Sequence, residues 1–232
     1  MTRKHKHKAN ETHAVSLITL TNPTSSISEQ YRTLRTNIQF ALATGQKNKM
    51  IIVTSSGSGE GKSTISSNVA VVFAKFGQRV LLVDADLRKP VIHKIFQLNN
   101  SSGLSTVLSS SESVVDAIQQ TQIENLSILS SGPTPPNPSE LLSSLRMGQI
   151  LEELRQLFDV IIFDTPPVVP VTDAQIMSSK ADGTLLVVRE NTSCKDSLTK
   201  AKELLKMAQA RVIGVVYNGA DHTKVADYYY GN

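Results

Sequence analysis

Apolar residues recur along this chain in two rhythms. From Ser28 to about Leu42, the residues Tyr31, Leu34, Ile38 and Leu42 return at the spacing of one helical face, which predicts a helix capped by Ser28. Six short runs follow that are rich in β-branched residues and read as strands: Met50 to Thr54, Val80 to Val83, Leu126 to Leu129, Val160 to Phe163, Thr184 to Val188 and Val212 to Tyr217. Between them, Lys62 to Phe76, Met147 to Phe158 and Lys195 to Ala208 carry helical patterning. Strands alternating with helices predict an α/β fold of the P-loop NTPase type, a mainly parallel sheet with helices on both faces. In such a sheet the ligand lies beyond the carboxyl ends of the strands, so the residue closing each run is a candidate for chemistry.

The Ser-rich stretch from Ser101 to Ser113 and the segment from Ser131 to Glu140, which holds four prolines, read as surface connections. No internal repeat is present. The 232 residues suit one domain at residues 28–220, preceded by a tail at 1–27 and followed by another at 221–232. Apolar residues make up 40% and charged residues 19%, which excludes wholesale disorder and fibrous repeats. The single cysteine, Cys194, can form no internal disulfide and has no zinc-ligand spacing around it, which suits a reducing cytoplasm. No apolar run has the length of a bilayer span, and no apolar stretch follows the basic N-terminus as in a secretory signal. The net charge of +4 comes largely from Arg3, Lys4, Lys6 and Lys8, a solvated end or one that rests against anionic lipid or nucleic acid.

The candidate chemistry sits at strand ends. After the first strand comes SGSGEGKST, in which Ser56 to Ser63 fits the phosphate loop GxxxxGK(S/T) with Ser56 in place of the first glycine. Gly57, Gly59 and Gly61 allow the amides of Ser58, Glu60 and their neighbours to turn inward around phosphate oxygens. The helix opening at Lys62, Ser63 and Thr64 adds the positive end of its dipole. Lys62 is placed to reach the β- and γ-phosphates and Ser63 to ligate magnesium. The next strand closes VDADLRKP, where Asp84 and Asp86 project together if the extended geometry continues. Their repulsion would be relieved by a divalent cation or by an abstracted proton. VIIFDTPP places four apolar residues before Asp164, the pattern of a second magnesium-organising carboxylate. Asn218, closing VVYNG, is either an adenine-recognising amide or half of an Asn-Gly turn. Tyr228, Tyr229 and Tyr230 stand together near the end of the chain, as packing residues or as phosphoryl acceptors.

A phosphate loop, then VDADLRKP, then FDTPP, then a terminal tyrosine cluster resembles the bacterial tyrosine kinases of capsule and exopolysaccharide assembly. GPTPPNPSELL from Gly132 to Leu142 and VTDAQ from Val171 to Gln175 extend the resemblance over nearly the whole chain from Ser28. The family implies an ATP- and Mg2+-dependent kinase in which Lys62, Ser63, Asp84, Asp86 and Asp164 serve nucleotide and metal, with Asp84 as base toward a tyrosine hydroxyl. It implies that Glu29, Arg32 and Arg35, which match an ExxRxxR motif and share one helical face, form a subunit contact closing a ring. Within that ring one copy's tyrosine tail would enter a neighbour's site. It further implies a transmembrane activator acting through its cytoplasmic tail, a cognate tyrosine phosphatase, and a cytoplasmic kinase recruited to the inner face of the membrane. The rival is a partitioning or septum-positioning ATPase, which shares the architecture but carries a signature lysine early in the phosphate loop, where this chain has Gly57 and Ser58. A nucleotide-holding scaffold without transfer is a second alternative, opposed by the intact Lys62, Asp84 and Asp164. No nucleic-acid partner is expected, because no basic stripe with interleaved aromatics lies outside the first residues.

Overall fold

The structure, a computed structural model, describes residues 17–43 and 48–220. A short helix α1 (Ile18–Thr21) leads into α2 (Ser26–Ala41). Then follow β1 (Lys49–Ser55), α3 (Lys62–Lys75), β2 (Val80–Asp84), α4 (Ile92–Ile95), α5 (Leu104–Ser109), β3 (Ile118–Gln120) and β4 (Leu126–Leu129). The chain continues through α6 (Pro138–Ser143), α7 (Leu145–Leu157), β5 (Val160–Asp164), α8 (Asp173–Ser178), β6 (Gly183–Arg189), α9 (Lys195–Met207) and β7 (Val212–Asn218). The strands form one sheet in the order β3-β4-β2-β5-β1-β6-β7. Every neighbouring pair is parallel except β3 with β4.

Strand alternation divides the core between the two faces. Ile51 and Val53 of β1, Val80 and Leu82 of β2, and Val160 and Ile162 of β5 join Tyr31 and Ile38 of α2 and Val69 and Phe73 of α3. Met50, Ile52, Leu81, Val83, Ile161 and Phe163 point the other way, onto Leu104 of α5, Leu142 of α6 and Ile150 and Leu154 of α7. A third cluster packs Leu186 of β6 against Ala174 of α8 and Ala201 and Leu205 of α9. The central strands are apolar on both sides, which is why they read as continuous runs rather than alternating ones. Among the described residues no helix is long and apolar enough to cross a membrane.

Several expectations need correction, among them the Ser-rich stretch read as a surface connection, which contains α5 with Leu104 and Val107 buried. The cap of α2 is Ser25, whose side chain accepts from the Ser28 amide, while Ser28 is buried inside the first turn and donates its hydroxyl to the Asn22 carbonyl at 2.7 Å. Residues before Ser28 also pack on the domain: Asn68 of α3 accepts from both the amide and the hydroxyl of Thr19, and Lys75 donates to the Thr19 carbonyl. The proline-rich connection contains α6, because Pro138 occupies the first turn of a helix, where an amide hydrogen has no helical partner and proline's fixed φ is already suitable. The antiparallel edge strand β3 is three residues long and below the reach of a periodicity argument.

Ser25→Ala removes the cap of the helix that covers β1 and is expected to cost about 1 kcal/mol of stability. Urea unfolding of the two chains measures the difference, and an unchanged midpoint would place the cap elsewhere.

Candidate active site

The phosphate loop is fastened from beneath by its own glutamate. Glu60 is buried, and its carboxylate accepts the Ser56 amide at 3.0 Å, the Ser56 hydroxyl at 2.7 Å and the Ser193 hydroxyl at 2.7 Å. The Glu60 side chain therefore turns into the protein, and only its backbone is left to line the loop. Arg189, at the end of β6, donates to the Gly59 carbonyl, and Asn218, at the end of β7, donates to the Glu60 carbonyl at 2.9 Å. Gly61 adopts φ +95°, and a Cβ there would lie 2.1 Å from the Asn218 amide nitrogen, so both the left-handed backbone and the close approach demand glycine. Asn218 thus lies at the loop, where it spends one amide hydrogen on loop geometry. Gly57, Ser58 and Gly59 complete the exposed turn, and Lys62, Ser63 and Thr64 open α3.

Asp84 and Asp164 close adjacent parallel strands in direct register. Both carboxylates are buried. Asp164 accepts the Ser63 hydroxyl at 2.6 Å and the Ser66 hydroxyl at 3.2 Å. Burial pushes its pKa up to about 6, against the lowering influence of Lys62 and the Ser63 hydroxyl. Asp84 Oδ2 accepts the amides of Val91 and Ile92 at 3.0 and 2.9 Å, while its Oδ1 is buried with no partner. Burial first, then the charge of Asp164, holds the Asp84 carboxyl well above the usual range, although the two amides oppose the shift. The expectation that Asp84 and Asp86 project together by strand alternation does not describe this edge. β2 ends at Asp84, and Asp86 lies in the turn beyond, accepting the amides of Arg88 and Lys89. Asp86 remains near enough to raise both buried acids.

Three segments far apart in sequence meet beside this edge. Arg88 makes a bidentate pair with Asp173 at 2.8 and 3.0 Å, and Ser139 donates to the same carboxylate at 2.7 Å. Asp173 is fully buried, so its charge is held by these partners, and the pair pins the turn carrying Asp86 to α6 and α8. Ser66, Ser193, Arg88, Asp173 and Ser139 were not singled out from sequence, and Ser56 was noted only as the residue in place of the loop's first glycine. Ser66 had a legible signal, since it follows Ser63 by three on one helix face.

An ion such as magnesium fits this donor set. Among the described residues no cluster of three or more His, Cys, Asp or Glu side chains offers a full cage. Magnesium commonly takes one or two carboxylates with water and substrate phosphates, and Asp164 with the Ser63 hydroxyl, next to the Asp84 carboxylate, is the matching half-site. Glu29, Arg32 and Arg35 lie on α2 away from these acids. Glu29 and Arg32 pair with each other, and Arg35 stacks on the exposed Phe76 ring at 4.0 Å. Tyr228, Tyr229, Tyr230 and the basic residues at 3–8 lie outside the described residues.

The parallel sheet, the phosphate loop and two in-register acids at its edge define a nucleotide-binding P-loop enzyme. Residues 48–212 match the family model described as an AAA domain. The chain is 46% identical over 217 residues to the tyrosine-protein kinase YwqD of Bacillus subtilis (strain 168), covering 93% of this chain and 91% of that one. The solved chimerical protein CapA2B2 superposes with a TM-score of 0.82 at 43% identity, over 87% of this chain and 88% of the other. The cell division ATPase MinD of Pyrococcus furiosus shares the architecture at lower likeness, with a TM-score of 0.62 and 27% identity over 75% and 74% of the two chains. This chain belongs to the bacterial tyrosine kinases of capsule and exopolysaccharide systems and is a tyrosine-protein kinase.

The buried acids make stability depend on pH. Because the folded pKa of Asp164 lies near 6, above its unfolded value, its contribution is fully present below about pH 4 and is lost as pH rises through 6. Asp84→Asn removes one repelling charge, and its amide oxygen can still accept from Val91 and Ile92. At pH 7.5 the nucleotide-free variant should melt roughly 3–5 °C above the unsubstituted chain, with the gain shrinking at pH 5. Calorimetry at both pH values decides it, and a destabilised variant at pH 7.5 would refute the repulsion.

Proposed function

We propose that the chain transfers the γ-phosphoryl group of ATP to Tyr228, Tyr229 and Tyr230 of a neighbouring copy, and that this cycle regulates capsular or extracellular polysaccharide assembly. The observation that carries the reading is the buried, unpartnered Oδ1 of Asp84, held beside Asp164 and Ser63 at the mouth of the phosphate loop. An acceptor oxygen with no donor, already raised in basicity by burial and a like charge, suits the removal of a phenol proton. In the step, the phenol oxygen bonds to the γ-phosphorus, the bond to the bridging oxygen breaks to release ADP, and the proton passes to Asp84.

The remaining residues position and neutralise. Loop amides and Lys62 hold the phosphates, and Asn218 contacts the adenine with the hydrogen-bonding capacity that the loop leaves free. Ser63 and Asp164 would hold Mg2+ beside the Asp84 charge, and the ion would supply charge neutralisation to the phosphates while Asp84 Oδ1 stays available to the phenol proton. Asp86 tunes both acids by its charge.

Glu29, Arg32 and Arg35 form the contact that closes a ring of copies. Their placement on an exposed face of α2, with the Arg35 guanidinium on exposed Phe76, supports this, since a partner can cover the stack and exchange the Glu29–Arg32 pair for one between copies. The kinase works in the cytoplasm at the inner face of the membrane. There the cytoplasmic tail of a membrane protein activates it and a tyrosine phosphatase resets it.

Labelled ATP with Mg2+ should place phosphate on Tyr228 to Tyr230, mapped by mass spectrometry, and Lys62→Met should lower incorporation by more than about 100-fold. A chain bearing Tyr→Phe at all three positions, mixed with the Lys62→Met chain, should label only the latter. Phosphate released solely to water would instead favour an ATPase switch. Arg32→Ala with Arg35→Ala should leave nucleotide affinity unchanged and reduce labelling between copies. Unaltered assembly on a sizing column would remove α2 from the contact.

A further inference from the structure

The sheet ends in an edge strand whose outer side is apolar. β7 pairs with β6 on one side and with no strand on the other among the described residues, and Val212 and Val215 are 44% and 61% exposed. Between this edge and α9 runs a groove of about 840 Å3, floored by Leu186, Val188, Leu198, Leu205, Val212 and Val215. Lys195, Lys202 and Lys206 line it at helical spacings of seven and four, so their ammonium groups rim one side of the groove. Among the described residues none of the three has an ion pair or a side-chain hydrogen bond. An apolar floor with an unneutralised cationic rim is complementary to an aromatic ring that carries a phosphate.

We infer that this groove receives the chain's own residues 221–232 once their tyrosines are phosphorylated. The inference rests on the proposed phosphorylation of Tyr228 to Tyr230. The chain leaves β7 at Asn218, whose carbonyl accepts the Glu190 amide near the start of α9, and it bends at Gly219, where φ is +75°. Tyr228 lies eight residue steps beyond Ala220, a reach of at most about 28 Å. Lys195 to Lys206 spans about 16 Å of helix, so the tyrosines can reach any of the three lysines by doubling back along β7. Charge makes the docking conditional. The side chains of 221–232 carry Asp221 and Asp227 against Lys224, nearly balanced, whereas each phosphate adds about 1.5 to 2 negative charges opposite three lysines. Docking would hold the modified segment beside α9, where it neither re-enters an active site nor lies open to a phosphatase.

A synthetic peptide of residues 219–232 bearing three phosphotyrosines tests this without relying on the chain's own activity. Its host is the full chain with Tyr→Phe at 228, 229 and 230, followed by titration calorimetry. Binding is expected at low salt, at least about tenfold weaker for Lys202→Glu with Lys206→Glu, and retained by Lys202→Arg with Lys206→Arg. Equal unfolding midpoints confirm that the variants are folded. Equal affinity of the glutamate variant, no binding at all, or equal binding of the unphosphorylated peptide would each overturn the inference, the last by showing a general apolar docking face. In the full chain phosphorylated to equal extent, an added tyrosine phosphatase should release phosphate faster from the glutamate variant. A chain that incorporates no phosphate would count against the kinase reading and leave the peptide result to judge the groove.

Discussion

Two carboxylates forced into register at the buried edge of a parallel sheet are the constraint on which this molecule turns. The pairing of β2 with β5 puts Asp84 opposite Asp164, and the chain gives them no cation of their own within ion-pair distance among the described residues. Each is only partly compensated, Asp164 by hydroxyls and the field of Lys62, Asp84 by two amides. Burying like charges is costly unless something neutralises them, so the pair creates a preference for positive charge. A cation is what that preference selects, while the loop amides and Lys62 offer donors to anionic oxygens beside it. The same repulsion, added to burial, keeps the Asp84 carboxyl well above its ordinary range.

Charge at the edge has to be matched by rigidity around it. The loop is held by Glu60 from below and by Arg189 and Asn218 from the β6 and β7 ends. The turn after β2 is held by the Arg88–Asp173–Ser139 cluster. These groups touch no reacting atom, yet they fix the positions of those that do, and oriented donors accelerate a reaction only if they need not reorganise when charge moves.

The fold was legible because its strands are apolar on both faces and its longer helices are periodic, signals that survive without tertiary information. That Lys62, Ser63, Asp84 and Asp164 come together was legible because a phosphate loop and strand-end acids both lie at the carboxyl edge of a parallel sheet. What escaped depends on contacts between distant segments. Ser28 sits where a cap could be, but the turn at Asn22 to Ser25 moves the helix start upstream. Glu60 reads as one more loop position, and its inward carboxylate depends on Ser56 across the loop together with Ser193, more than a hundred residues away. The VTDAQ and NPSE segments were recognised as resemblances without a physical role, which the shared carboxylate of Asp173 supplies. The Asp84–Asp86 alternation failed because a strand's two-residue rhythm ends with the strand.

The way the loop is fastened also ties it to the far side of the sheet. The Glu60 carbonyl that takes the Asn218 amide belongs to the peptide immediately before Gly61, at the point where loop becomes helix. A Cβ at Gly61 would lie 2.1 Å from the Asn218 amide nitrogen, so the turn into α3 and the end of β7 pack with no room for a side chain between them. Arg189 makes the same kind of link one strand further in, through the Gly59 carbonyl. Two loop carbonyls thereby face the strand ends and are spent on side chains of β6 and β7, so the peptide planes that carry them are oriented by the sheet itself, and the loop amides are arranged by the fold without help from a phosphate.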